Sequence, residues 1–397
     1  MELKIEDRLV LSCIKIHLTP KELEQINDLI LEIQDWDYLV STIIDRGIGP
    51  LLYTKLSLLN NCSQIPDTVK SNLQQAYFKT FSRSAILYEH FRKIAEVFTM
   101  QGIPLIVLKG VHLSEWLYQD IGLRQFSDID LLVKEEDGEK CIILLGKLGY
   151  KPVEDKRPEF IINNSEFVHY IPMVLNGVLI EIHVKLHRKT EKYDLKLNKL
   201  WENSLQVSIN DSHVSALNNN DLIIYLCLHL NKHFYGGHVQ FTCFIDITNL
   251  IDEYSEKIIW SDFIESCRIY NCEDIVFKYI VLINKYMNAP IPNWIIHEYS
   301  SLLSKKDEQL FFKYLTGYSS LGFSNTVASH LSDLSRLEKY SEKFKFLWSD
   351  LFPSKAFMID KYRVKNLSLV LFYYPYRCFI AILGLLEYIR KKVVNKN

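Results

Sequence analysis

Residues 126–134 read FSDIDLLVK, a short apolar run that carries two aspartates, Asp128 and Asp130, one residue apart. The alternation predicts a β-strand, because side chains at i and i+2 leave the same face of a strand. Ile129, Leu131 and Val133 then face a core, and the two carboxylates share the opposite face. Like charges this close repel, and burying either one bare is costly. A chain with this run must therefore build something around it that compensates negative charge.

The flanking sequence supplies candidates. IPLIVLKG, residues 103–110, reads as a buried strand ended by Lys109 and Gly110. VHLSEWLYQDIG, residues 111–122, predicts a helix of about three turns. GEKCIILLGKLGY, residues 138–150, predicts another, with Ile142, Leu145 and Leu148 on one stripe. FVHYIPMVL, Asn176-Gly177 and VLIEIHVKL then form a hairpin with a two-residue primed turn. Pro172 in the first arm places that arm at a sheet edge and leaves the second arm interior.

In the second arm Glu181 and His183 share one face, with Ile180, Ile182 and Val184 on the other. Asp128, Asp130 and Glu181 are thus expected to converge on one patch of sheet. An all-oxygen set of this kind suits Mg²⁺, or Mn²⁺, rather than zinc. The competing reading of a DxD alone is a solvated strand face. Two neighbours favour a site: the turn at Gly110 opens a helix whose free N–H groups suit phosphate, and Arg124 can grip phosphate in a forked manner.

The 397-residue chain is expected to be α+β. A helical region over 1–100 precedes a small mixed-sheet α/β core over 101–190, and a second helical region covers 191–397. TPKELEQINDLILEIQ opens with Thr19 as N-cap, Pro20 at the first helical position and Glu22 to complete a capping box. A long amphipathic pattern then runs to Gly102. A net charge of −2 argues against binding bulk DNA, while leaving room for a local groove at one RNA end.

Eight cysteines without a CxxC pair, and an acidic N-terminus lacking a basic-then-apolar leader, point to a reduced cytoplasmic protein. Residues 367–392, LSLVLFYYPYRCFIAILGLLEYIRKK, are apolar but interrupted by Pro375, Arg377 and Glu387. A buried or surface-docking helix is expected there. Peripheral membrane contact through Arg390, Lys391 and Lys392 is the less favoured alternative.

His229 and His233 lie four positions apart on one helix face, but Leu230 stands where a zinc protease needs glutamate. These two are either packed helix histidines or residues lining the carboxylate site. His183, beside Glu181, is the histidine best placed for function. Asp246 is a further polar candidate or a helix cap, and Trp116 and Tyr118 either reach a nucleotide base or pack.

GIPLIVLKGVHLSEWLYQDIGLRQFSDIDLLV is similar to a bacterial nucleotidyltransferase family marked by an LKG turn followed by RxxxDIDLLV. That family falls within the DNA polymerase β-like nucleotidyltransferase superfamily. LIEIHVKLH, DLIIYLCLHLNKHFYGGHVQFTCFIDITNLID and LFPSKAFM resemble its later segments. The resemblance implies that Asp128 and Asp130 hold a metal pair on a nucleoside triphosphate such as ATP. It implies that Glu181 completes the metal site and helps deprotonate an acceptor, and that Gly110, Lys109 and Arg124 hold the phosphates. The reaction implied is in-line attack on the α-phosphorus with pyrophosphate leaving; the acceptor, whether small molecule, RNA end or protein, is not identified by the sequence.

The superfamily's usual Gly-Ser is replaced here by Lys109-Gly110 followed by Val111, with no hydroxyl. A catalytically degenerate nucleotide-binding or scaffold protein is therefore the alternative. A DxD glycosyltransferase fits less well, because about a hundred helical residues precede a single strand where that fold needs a larger parallel sheet.

Overall fold

The structure is a computed structural model that describes residues 3–153, 168–187, 191–235, 239–316, 340–353 and 370–394, with positions 334, 355 and 358. Helices flank a mixed seven-stranded sheet, ordered β3-β4-β5-β2-β1-β7-β6. The strands are β1 (Leu105–Val107), β2 (Asp128–Val133), β3 (Lys151–Pro152), β4 (Met173–Leu175), β5 (Val178–His183), β6 (Leu205–Ile209) and β7 (Ser212–Ala216). The α+β class expected from the sequence is the class observed.

β2 runs antiparallel to β1 and parallel to β5, so the strand bearing the aspartates lies at the centre of the sheet. Its alternation is resolved as expected. Ile129, Leu131 and Val133 join Ile180, Ile182 and Val184 in one core layer, closed by the long helix Asp67–Met100 and the helix Gly138–Lys147. A second, larger core lies on the opposite face. It is built mainly from N-terminal helices and from the helices Asn219–Phe234, Thr242–Tyr254 and Glu273–Met287. The acid-bearing face of β2 and β5 looks toward this layer.

Local signals behave as their chemistry requires. Thr19 and Glu22 cap each other's backbone at the start of Pro20–Glu32. Asn176 and Gly177 both have positive φ, 51° and 75°, the primed turn that matches strand twist. Two expectations are corrected. The helix after Gly110 spans only Val111–Trp116, because Gln119 turns into the left-handed region at φ 55° and breaks the run. The arm containing Pro172 is not the edge: β3 pairs outside it, and Pro172 precedes β4, where its carbonyl accepts from Val153 N–H. A proline just ahead of the strand removes no ladder donor.

The sheet also takes in a hairpin beyond residue 190, with β7 parallel to β1 and β6 as the far edge. Asn210 and Asp211 make its turn, both at positive φ. Among the described residues, no helix is long and apolar enough to cross a membrane.

Candidate functional site

The parallel register of β2 and β5 sets Asp130 directly beside Glu181 and Leu132 beside His183. Side chains two apart share a face, so Asp128, Asp130, Glu181 and His183 all border one cavity of about 320 Å³. Lys109 enters from the end of β1, and His229, His233 and Tyr225 line the cavity from Asn219–Phe234. Cys243 and Gln240, near the start of Thr242–Tyr254, also line it.

Asp130 is the hub. His183 Nε2 lies 3.1 Å from Asp130 Oδ1 and 3.4 Å from Glu181 Oε2. Lys109 Nζ approaches Asp130 Oδ2 to 3.1 Å and Asp128 Oδ2 to 3.8 Å. Among the described residues, Asp130 Oδ2 meets that ammonium without an aligned hydrogen bond, and His183 Nδ1 finds no hydrogen-bond partner. Asp130 is 4% exposed, so its charge exists only because these cations neutralise it.

The electrostatics separate the two aspartates. Burial would raise the Asp130 pKa, but Lys109 first and His183 next overcome it and hold the carboxyl below its ordinary range. Asp128 goes the other way, raised by burial and then by the neighbouring Asp130 charge. Burial opposes ionisation of Glu181 too, yet its hydrogen bond to His183 leaves its pKa lowered. Lys109 is desolvated, but Asp130 and Asp128 keep it protonated well above neutrality. His229 is held neutral, by burial and by the Lys109 charge. A pair of like acids driven apart in this way is a recurrent mark of catalytic centres.

Gly110 has φ 46° and ψ −108°. A Cβ there would come within 3.2 Å of the Asp128 carbonyl oxygen and 3.3 Å of the Phe126 ring. The LKG turn thus needs glycine both for its backbone conformation and for its closeness to β2.

Arg124 is placed elsewhere. Its guanidinium forks onto Asp246, Nε to Oδ1 at 2.9 Å and Nη2 to Oδ2 at 2.7 Å. Tyr118 Oη donates to the same carboxylate at 2.8 Å, and all three groups are buried. Asp246 is therefore the anchor of Arg124, and Tyr118 packs rather than reaching the cavity. Trp116 likewise packs, stacked between His112 and Tyr254.

Among the described residues, the His, Cys and carboxylate ligand atoms that could gather round one ion come from Asp130, Glu181 and His183, all within 4.8 Å of one another. The sequence reading gave Asp128, Asp130 and Glu181; here His183 joins the last two, and Asp128 Oδ2 lies 3.8 Å from Lys109 Nζ. The set could hold a divalent cation, because two carboxylates and an imidazole offer ligand atoms within 4.8 Å of one another.

His169 was missed. It borders the cavity and bridges to His183, their rings 5.3 Å apart. Counting back from the Asn176-Gly177 turn places Tyr170 opposite His183. The structure instead pairs Met173 with Ile180 and His169 with His183, four steps on one strand against three on the other. One extra residue around Pro172, a bulge, shifts the histidine into the site.

No curated protein matches the chain. The model of a family described as uncharacterised nucleotidyltransferase matches residues 32–288, which takes in the whole sheet and every residue of the cavity wall named above. The chain belongs to that uncharacterised nucleotidyltransferase family.

Proposed function

We propose that the protein is a divalent-metal-dependent nucleotidyltransferase, moving a nucleoside monophosphate from an NTP to an acceptor hydroxyl or phosphate and releasing pyrophosphate. The observation that carries this reading is the register of β2 on β5, which sets Asp130, Glu181 and His183 within 4.8 Å of one another in a cavity roofed by helices. Asp130, Glu181 and His183 would hold Mg²⁺ or Mn²⁺; when bound, such an ion neutralises phosphate oxygens and stabilises charge developing in the transition state.

The chain's own groups do the rest. Lys109 keeps its proton and offers positive charge to the phosphates beside the Gly110 turn. Asp128, whose pKa is raised, accepts a proton from the attacking group more readily than Asp130 does. Arg124 acts indirectly, by fixing the approach to β2 against the helix Thr242–Tyr254. The helical roof excludes water from the reacting phosphorus. His169, His229 and His233 border the space left for the acceptor.

A second reading has a specific observation behind it. Lys109 already lies between Asp128 and Asp130, so the two acids are compensated by the chain itself, as a nucleotide-binding scaffold would require. Pyrophosphate release separates the two. The enzyme reading expects release with at least one NTP and Mg²⁺ or Mn²⁺ in the presence of cell extract, abolished by Asp130→Asn. NTP binding with no release under any of these conditions supports the scaffold.

A further inference from the structure

Charge is segregated along the chain. Residues 351–397 contain nine lysines and arginines but only two acids, Asp360 and Glu387, a local charge of +7. The remaining 350 positions hold 37 basic and 46 acidic residues, a charge of −9. The basic segment ends in the helix Val370–Val394. From Val370 to Leu386 the only charged residue is Arg377.

That helix is apolar on the outside. Leu371, Phe372, Phe379, Ile382 and Leu386 are between 57% and 73% exposed, an apolar surface larger than scattered single residues would give. Ile382 and Leu386 follow Phe379 at three- and four-residue steps, and Leu371 and Phe372 lie about two turns earlier on the same side of the helix. Arg390 is exposed where the apolar run ends, and Lys391 and Lys392 follow it in the sequence. No described helix is long and apolar enough to span a bilayer. An apolar helix that cannot cross, with a cluster of cations at its end, has the composition of one that lies in a membrane interface.

We propose that the helix Val370–Val394 docks the protein onto an anionic lipid bilayer, with its apolar side chains in the acyl boundary and the basic residues at its C-terminal end on the headgroups. Two features select lipid over a second copy of the chain. Two +7 segments brought together across a symmetric contact repel, whereas an anionic surface attracts them. The acidic body, at −9, is repelled by the same surface, so contact is confined to the C-terminal helix. The nucleotidyl transfer proposed above does not depend on this docking.

The test is flotation of the full-length protein with vesicles of phosphatidylcholine alone and with 30% phosphatidylglycerol, at low salt and at roughly 0.5 M salt, where charges are screened beyond a few ångströms. Binding to the anionic vesicles is expected at least tenfold tighter than to neutral ones and weakened by salt. The double change Ile382→Asp with Leu386→Asp is expected to reduce it at least tenfold. Arg390→Glu with Lys391→Glu and Lys392→Glu is expected to remove the preference for anionic lipid. All substituted positions lie in the C-terminal helix away from the cavity, and unchanged circular dichroism checks that each variant folds. No flotation of the wild type overturns the proposal. So does flotation that survives the double change, which reduces the contact to adsorption by charge. Sedimentation showing a wild-type dimer that Ile382→Asp with Leu386→Asp makes monomeric, without flotation, assigns the face to self-association instead.

Discussion

The Arg124 guanidinium closes a two-bond fork on the Asp246 carboxylate, 122 residues away in sequence, with both groups buried. This pair ties the loop that delivers β2 to the helix Thr242–Tyr254, which walls the cavity. Breaking a buried pair from one side strands the other charge, at a cost of about 3–5 kcal/mol. Asp246→Ala is therefore expected to lower the urea midpoint sharply, and Arg124→Met with Asp246→Leu to recover a good part of the loss. Equal destabilisation of the single and double variants would show that the pair does not matter as a pair.

Metal binding should follow the geometry rather than the DxD pattern. Asp130→Asn, Glu181→Gln and His183→Ala are each expected to weaken Mn²⁺ binding by at least about tenfold, since each removes one of three converging donors. Asp128→Asn is expected to leave that affinity within about threefold and still abolish transfer. Equilibrium dialysis with Mn²⁺ measures this. A fall for Asp128→Asn as large as for Asp130→Asn would restore the trio of carboxylates as the ligand set.

Lys109 competes for the same charge. Lys109→Met leaves Asp128 and Asp130 without their ammonium, so the variant without metal should be less stable than the wild type. A cation that binds only the folded state then restores more. Saturating Mn²⁺ is expected to raise the melting temperature of Lys109→Met by at least about 2 °C more than that of the wild type. Equal shifts in the two proteins would mean that Lys109 does not compensate the aspartates.

His112 gives a stability effect away from the cavity. Its ring is buried against Trp116, and burial lowers its pKa from 6.5 to about 4. The unfolded chain takes up a proton as pH falls through 6.5, whereas the folded chain does so only near 4. The associated stability is complete above the unfolded value and is lost across that window, on the order of 3 kcal/mol in all. His112→Leu should flatten the dependence of the urea midpoint on pH between 6.5 and 4.5. Parallel curves for wild type and variant would remove His112 as a source of acid instability.

The strands and their faces were legible because their signals are local. Period-two alternation around Asp128 and Glu181, and the Asn176-Gly177 turn, are dictated by neighbouring residues alone. What the sequence withheld depends on distant partners. Asp246 pairs with Arg124 only once the helix Thr242–Tyr254 packs over β2. His169 enters the cavity through a one-residue bulge, which changes register without changing composition. The helix after Gly110 is shorter than its pattern predicts, because WLYQD keeps a helical spacing of apolar residues while Gln119 bends away and Tyr77 and Gly122 bond to Asp120. The hairpin of β6 and β7 gave no Asn-Gly or Asp-Gly pair, only Asn210-Asp211, a weaker turn signal.

The central claim is transfer of a nucleotidyl group at Asp130, and the position of the label in the NTP tests it directly. With cell extract as the source of acceptor, and Mg²⁺ or Mn²⁺ present, label at the α-phosphorus is expected to appear on the acceptor. Label at the γ-phosphorus should leave as pyrophosphate, and neither event should occur with Asp130→Asn. Transfer of the γ-label, or α-label transfer undiminished in Asp130→Asn, would contradict the account.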